Sequence, residues 1–251
     1  MSNIVIVPIF NQSAPQVWKT FLSIRSAAMR HSCGYQMSTA DYEFAMDEMA
    51  QGWVKRGFNF AFGAYDGATM IGFVQGDCIE NTATIRSLYV RPEYMSQHIG
   101  QRLLMAAEQA GSFAASSLDL VSLPRAQKFY EHHNYKPVSH GGNHYIKDIT
   151  FQMRARCATA PVFKLTRGMH TSCSKISQQY GMTFDASHVN WRHEPMFVYV
   201  DAVSQVQGYV LGVNNAKTYI AAHQPAELIA KRLKREVDKL KSIRQNQGNI
   251  R

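Results

Sequence analysis

Residues 82–109, TATIRSLYVRPEYMSQHIGQRLLMAAEQ, and 117–135, SLDLVSLPRAQKFYEHHNY, decide how this chain is read. In the first, Ala83, Ile85, Ser87 and Tyr89 alternate with Thr84, Arg86, Leu88 and Val90, the two-residue period of a strand, and Pro92 ends it by removing a backbone donor. Ile99, Leu103, Leu104 and Ala107 then recur at helical spacing, so the turn from Met95 to Gly100 sits at a helix N-terminus. Free N–H groups at such an end point outward and favour an anion. The second stretch repeats the pattern of strand, turn and helix.

Together they resemble the core of the GNAT superfamily of N-acetyltransferases. The family's pyrophosphate loop, Arg/Gln-x-x-Gly-x-Gly/Ala, falls here on Met95, His98 and Gly100, of which Gly100 alone matches. The family's second signature is reproduced by Val121-Ser122, Ala126, Phe129-Tyr130 and Asn134-Tyr135. The resemblance implies an α/β (α+β) GNAT acyltransferase fold with a mixed central sheet, and acetyl-CoA as the co-substrate of transfer to a primary amine. It implies that the backbone of Leu88, Tyr89 and Val90 binds the pantetheine arm and polarises the thioester carbonyl. The loop Met95, Ser96, Gln97, His98, Ile99, Gly100 and Gln101 would hold the pyrophosphate, and Ser122, often asparagine in the family, would bond a pantetheine amide. Ala126 and Phe129 would line the cofactor, and Tyr130 would protonate the departing thiolate. Arg125 and Lys128 fit either the nucleotide phosphates or a solvated helix face. No base is assigned, the nearest acids being Asp77 and Glu80, and the early helices that would build the acceptor site offer His31, Tyr35 and Tyr42 without a motif.

The same order extends upstream. Asn3 to Val7 is a β-rich run closed by Pro8, Pro15 opens a helix with Val17, Phe21, Ile24 and Ala28 at helical spacing, and a second helix follows Ser38-Thr39. Its expected inner stripe is Tyr42, Phe44, Met46, Met49 and Trp53, and Gly57 would end it. Strands Phe58–Tyr65 and Met70–Val74 flank Asp66-Gly67, a hairpin signal. Two last strands are expected between Tyr135 and Phe151, around Gly141-Gly142.

Of 251 residues 45% are apolar, enough for one large domain or two smaller ones. No apolar run approaches the roughly 20 residues that span a bilayer, and the start lacks a basic n-region, so a cytoplasmic protein without membrane attachment is expected. Cys33, Cys78, Cys157 and Cys173 share no CxxC spacing and read as reduced thiols. His132 and His133 are adjacent and diverge on a helix, while His170-x-x-Cys173 has no second pair, so no metal is expected.

The net charge of +9 is unevenly placed. Residues 1–153 hold 12 Lys+Arg and 12 Asp+Glu, whereas residues 154–251 hold 15 and 6. This shift marks a boundary, and the resemblance, which covers about residues 3–153, implies a GNAT acetyltransferase domain over 1–153 followed by a smaller basic α+β domain over 154–251. In the latter, Met196–Asp201, Gln207–Gly212 and Thr218–Ala221 read as strands and Pro225 opens a helix. The order is that of a truncated GNAT-like repeat or of an unrelated hairpin. The helix carries Ile229, Leu233, Val237 and Leu240 on one face and Lys231, Arg232, Lys234, Arg235 and Lys241 elsewhere, which suits an anionic partner such as nucleic acid. The competing class is a non-catalytic GNAT-fold protein that engages such a partner through this basic part.

Overall fold

The computed structural model describes residues 4–9, 15–55, 58–79, 81–112, 115–149, 158–162, 167–186, 196–200, 206–211, 216–222, 224 and 226–248. Gly57, Glu80, Cys157 and Pro225 lie outside them, as do the side chains of Met49 and Trp53. The chain divides into two compact units, 1–149 and 150–251.

Unit 1 runs β1 (Val5–Pro8), α1 (Pro15–Cys33), α2 (Thr39–Lys55), β2 (Phe58–Asp66), β3 (Thr69–Ile79), β4 (Thr82–Val90), α3 (Ile99–Ser112), β5 (Ser117–Val121), α4 (Gln127–His132), β6 (Lys136–Pro137) and β7 (His144–Asp148). Its seven-stranded mixed sheet has the order β1-β2-β3-β4-β5-β7-β6, with only β4 and β5 parallel. The Asp66-Gly67 signal holds, since Gly67 turns the β2–β3 hairpin at φ 59°. The start of α2 is a capping box: Ser38 Oγ accepts from the Asp41 N–H at 3.1 Å, and Asp41 Oδ2 accepts from the Ser38 N–H at 3.0 Å. The stripe expected on α2 is corrected at one position, because Phe44 is exposed and Ala45 is the buried residue beside it.

The sheet is covered on both sides. Trp18, Phe21, Leu22 and Ile24 of α1 are buried, and the Phe21 ring stacks on Phe73 of β3 at 4.1 Å. Ile99, Leu103, Leu104, Ala107 and Ala110 of α3 are buried on the opposite face. The strict alternation expected along β4 is broken by a bulge. Gln75 pairs with Ser87 and Gly76 with Ile85, which leaves Arg86 as an extra residue on β4. The bulge reverses the pleat, so Ala83 near the bulge's start and Leu88 and Val90 beyond it share the α3 side: Gly111 abuts Ala83, and Gly100 abuts Leu88. Ser87 and Tyr89 are thereby turned to the α1 side, where Tyr89 lies 5.8 Å from Phe73.

Unit 2 contains β8 (Ala158–Val162), α5 (Arg167–Gln179), β9 (Met196–Val200), β10 (Val206–Leu211), β11 (Lys217–Ile220) and α6 (Ala226–Gly248). Its antiparallel sheet has the order β11-β10-β9-β8. Ile229, Leu233, Val237, Leu240 and Ile243 of α6 are buried, while Lys231, Arg232, Lys234 and Arg235 are on its outer side. On α5, Met169, Cys173 and Ile176 are buried, so Cys173 is a core residue, and burial pushes its thiol up to about 12. The exposed His170 ring meets Phe184 edge-on at 5.5 Å. Among the described residues no helix is long and apolar enough to cross a membrane, and no group of three His, Cys, Asp or Glu is placed to hold a metal ion.

Candidate active site

The strands β4 and β5 pair only from Thr82 to Ile85, opposite Ser117 to Leu120. Beyond that point β4 continues to Val90 and β5 stops at Val121, so the two part company. A cavity of about 530 Å³ is built around the freed end of β4. This is the size range of small-molecule and cofactor sites.

The structure brings most of the expected residues to this cavity. Leu88, Tyr89, Val90, Met95, Ser96, His98, Ile99, Gly100, Gln101, Ala126, Phe129 and Tyr130 all line it. Two expected residues are corrected. Gln97 does not line the cavity. Ser122 is buried away from it, and its hydroxyl donates to the Leu123 carbonyl at 2.9 Å, which occupies the donor meant for a pantetheine amide. Arg125 is in the lining and Lys128 is not.

The loop between β4 and α3 adopts the conformation its motif calls for without the glycine. Ser96 has φ 64° and His98 φ 59°, both in the left-handed region that normally selects glycine. The Arg102 N–H closes the first helical bond onto the His98 carbonyl at 3.1 Å, so the amides before it belong to an uncommitted helix N-terminus. Gly100 is where the elements converge: a Cβ there would touch the Phe129 ring at 3.7 Å and Leu88 at 3.8 Å. Anion-binding donors, the freed strand and α4 thus meet within a few ångströms.

Tyr130 is buried on α4, with its ring edge-on to Phe129 at 5.1 Å and to Tyr135 at 5.7 Å. Burial, and after it the neighbouring Tyr89 phenol, pushes the Tyr130 hydroxyl well above the ordinary tyrosine range. A phenol so placed keeps its proton at neutral pH and can only donate it. His133 packs edge-on against Phe129 at 4.8 Å, and burial is the main cause that lowers its pKa. The cavity wall also includes residues that no motif announced: Ala28, Met29 and Ser32 of α1, Tyr94, Leu123, His132 and His133. The α1 residues carry the period of an amphipathic helix, which marks a packed face without saying what it packs on. Tyr94 is held in place by donating to Asp66 Oδ2 at 3.1 Å.

Residues 58–137 match the sequence model of the acetyltransferase (GNAT) domain. A spermidine N(1)-acetyltransferase of Thermoplasma acidophilum is 43% identical over 47 residues, 19% of this chain. That match spans only 29% of the length of the curated relative. Among solved structures, PaiA N-acetyltransferase of Thermoplasma acidophilum in complex with coenzyme A aligns with a TM-score of 0.46 at 19% identity, covering 59% of this chain and 99% of that one. A GNAT-family acetyltransferase of Staphylococcus aureus aligns with a TM-score of 0.49 at 12% identity over the same shares.

Proposed function

We propose that this chain, whose residues 58–137 match the acetyltransferase (GNAT) domain, transfers an acetyl group from acetyl-CoA to a primary amine. The observation that carries the reading is the meeting, in one cavity, of the freed β4 end, a helix N-terminus with two left-handed residues, and a buried phenol. The helix-end amides suit a pyrophosphate, and the β4 backbone at Leu88, Tyr89 and Val90 suits an extended amide-bearing arm. The neutral amine attacks the thioester carbonyl carbon, the C–S bond breaks, and Tyr130 gives its proton to the leaving sulfur. The proton released by the acylated nitrogen restores the phenol, so the products are an N-acetylated amine and free CoA thiol. Calorimetric titration of the full chain with acetyl-CoA, followed by release of CoA thiol on adding amines, tests this. Absence of acetyl-CoA binding would leave the non-catalytic class.

We propose in addition that unit 2 is the front half of a second unit of the same kind and that its α6 meets an anionic partner. The first idea is supported by a bulged strand register that β10 has in common with β3, and the second by the exposed Lys231, Lys234 and Arg235 beside a buried apolar stripe. Counterion release would make polyanion binding by the full chain fall steeply with salt. No binding to RNA or DNA at low salt would reduce the basic face to a solvated surface.

A further inference from the structure

Arg25, Ala28, Met29 and Ser32 lie on one face of α1, and the last three line the cavity. Arg25 is one turn earlier. Tyr89 lines the cavity; burial raises its phenol, and the charge of the nearby Arg25 draws it part of the way back down. Among the described residues Arg25 forms no ion pair, and its Nε is buried without a hydrogen-bond partner. A buried donor left unpaired is costly, and a guanidinium is built to meet an oxyanion with two parallel bonds.

One cross-strand step from the Phe73–Tyr89 pair, and on the same α1-facing side of the sheet, Gln75 faces Ser87. Its Nε2 reaches the Ser87 hydroxyl at 3.4 Å, whereas its Oε1 has no partner although the residue is only 6% exposed. An unpaired buried donor on α1 and an unpaired buried acceptor on β3 therefore both lie near Tyr89 on the α1-facing side of the sheet. Two acids of this region are already engaged. Asp77 accepts from Arg86 Nε at 3.2 Å through both oxygens, and Asp41 accepts from Ser38 and Tyr35. Asp77 is thereby paired with a guanidinium, whereas Asp41, bonded to neutral donors, keeps its charge at the exposed start of α2.

We propose that Arg25, supported by Tyr89, anchors a carboxylate or phosphate on the acetyl acceptor, while Gln75 Oε1 receives an N–H of its amine. The acceptor is accordingly an amine that also carries an oxyanion, not a polyamine. The inference rests on the acetyl-transfer reading above, and its test separates the two.

Full-length protein and acetyl-CoA are assayed for thiol release with matched amines: lysine against cadaverine, O-phosphoethanolamine against ethanolamine, and spermidine. The oxyanion-bearing member of at least one pair should be favoured in kcat/KM by about tenfold or more, as a charge-assisted bidentate bond allows, and the favoured pair distinguishes carboxylate from phosphate. In Arg25→Gln the ratio within that pair should collapse towards one through KM, and Arg25→Lys should restore it only in part, because a point charge lacks the fork. Acetyl-CoA affinity, read by calorimetry, should change by less than about threefold in both variants, which also reports that they are folded. Preference for cadaverine or spermidine, or an equal loss on every amine in Arg25→Gln, overturns the proposal while leaving acetyl transfer intact. Failure to bind acetyl-CoA overturns both.

Discussion

The end of β4 in unit 1 and the end of β11 in unit 2 are built on the same register and finished in opposite ways. On β3, Gly72 pairs with Ala64 and Met70 with Tyr65, leaving Ile71 as an extra residue; on β10, Gly208 pairs with Tyr199 and Val206 with Val200, leaving Gln207. The bulged residue's carbonyl then accepts from the chain leaving the next strand, Arg91 N–H at 2.8 Å and Ala221 N–H at 2.9 Å. Gly72 lies against the Tyr89 carbonyl and Leu103 of α3, and Gly208 against the Tyr219 carbonyl and Ile229 of α6. Phe73 pairs with Tyr89 as Tyr209 pairs with Tyr219, and Val90 sits opposite Gly72 as Ile220 sits opposite Gly208.

Past these paired residues the two strand ends diverge. Val90 lines a cavity, whereas both backbone groups of Ile220 are taken by one side chain: the Tyr180 hydroxyl accepts from the Ile220 N–H at 3.1 Å and donates to its carbonyl at 3.0 Å. Gln179 Oε1 accepts from the Ala222 N–H at 3.0 Å. The chain also reaches its next helix sooner, from Ile220 to Ala226 compared with Val90 to Ile99. A bulged hairpin and a covering helix therefore do not by themselves make a cofactor site. Among the described residues no side chain bonds the backbone of Leu88, Tyr89 or Val90 as Tyr180 bonds that of Ile220.

The largest expected effect lies at the buried phenol beside the open end of β4. Tyr130→Phe keeps the packing against Phe129 and Tyr135 but removes the proton, so turnover should fall about 10²- to 10⁴-fold with little change in acetyl-CoA affinity. Since burial raises the Tyr130 pKa, the acid form persists to higher pH than for an ordinary tyrosine. The rate should therefore show no alkaline loss from this group below about pH 10, the unperturbed phenol value. Unchanged turnover in the variant would return Tyr130 to packing alone, whereas a loss near pH 8 that the variant abolishes would keep Tyr130 as the acid and overturn its raised pKa.

A smaller effect should distinguish a closed strand end from a latent site. Tyr180→Phe strips both partners from the Ile220 backbone and should destabilise unit 2 by about 1–3 kcal/mol, read by denaturant unfolding. Calorimetry should still count one acetyl-CoA per chain. A second equivalent appearing in the variant would mean that Tyr180 masks a working site, and the two strand ends would then be alike. The shared register can be challenged in the same range. Gly72→Ala and Gly208→Ala each place a methyl against a strand carbonyl, 3.0 Å in one case and 3.1 Å in the other, and against a helix side chain at 3.2 and 2.8 Å. Both should destabilise by roughly 1–3 kcal/mol, the usual range for overpacking.

Much of this was legible because the signals are local. The alternation before Pro92, the Asp66-Gly67 turn, and the helical spacing of Ile99, Leu103 and Ala107 each report on a few neighbouring residues. The Arg86 bulge was not, since it is a property of how two strands pair, and it decided which way Tyr89 points. That Ser122 lies off the cavity with its hydroxyl donating to the next residue's carbonyl was not legible either, since such a local bond is a choice that composition does not reveal. Met29 and Ser32 reach the cavity, and Arg25 comes near Tyr89 beside it, through tertiary packing of distant parts of the chain. In unit 2, β8 escaped notice because Pro161 interrupts its pattern, while α5 carried a readable spacing, Met169, Cys173 and Ile176, inside an otherwise polar helix.

The smallest effect concerns the loop between β4 and α3. His98 holds φ 59° with a Cβ, and a left-handed conformation costs an L-residue roughly 1–2 kcal/mol. Glycine removes that strain but adds about 0.5–1 kcal/mol of unfolded-chain entropy, so His98→Gly should gain at most about 1.5 kcal/mol in stability. If the loop amides hold the pyrophosphate, the donors stay where they are and acetyl-CoA affinity should be preserved or strengthened, because the backbone can approach the phosphates without the imidazole. A folded His98→Gly protein that no longer binds acetyl-CoA would show that the histidine side chain, which also lines the cavity, is the ligand and that the backbone is only its support. The test is sharpest beside Ser96→Gly, which removes strain at φ 64° with a smaller side chain and should leave affinity unchanged on either account.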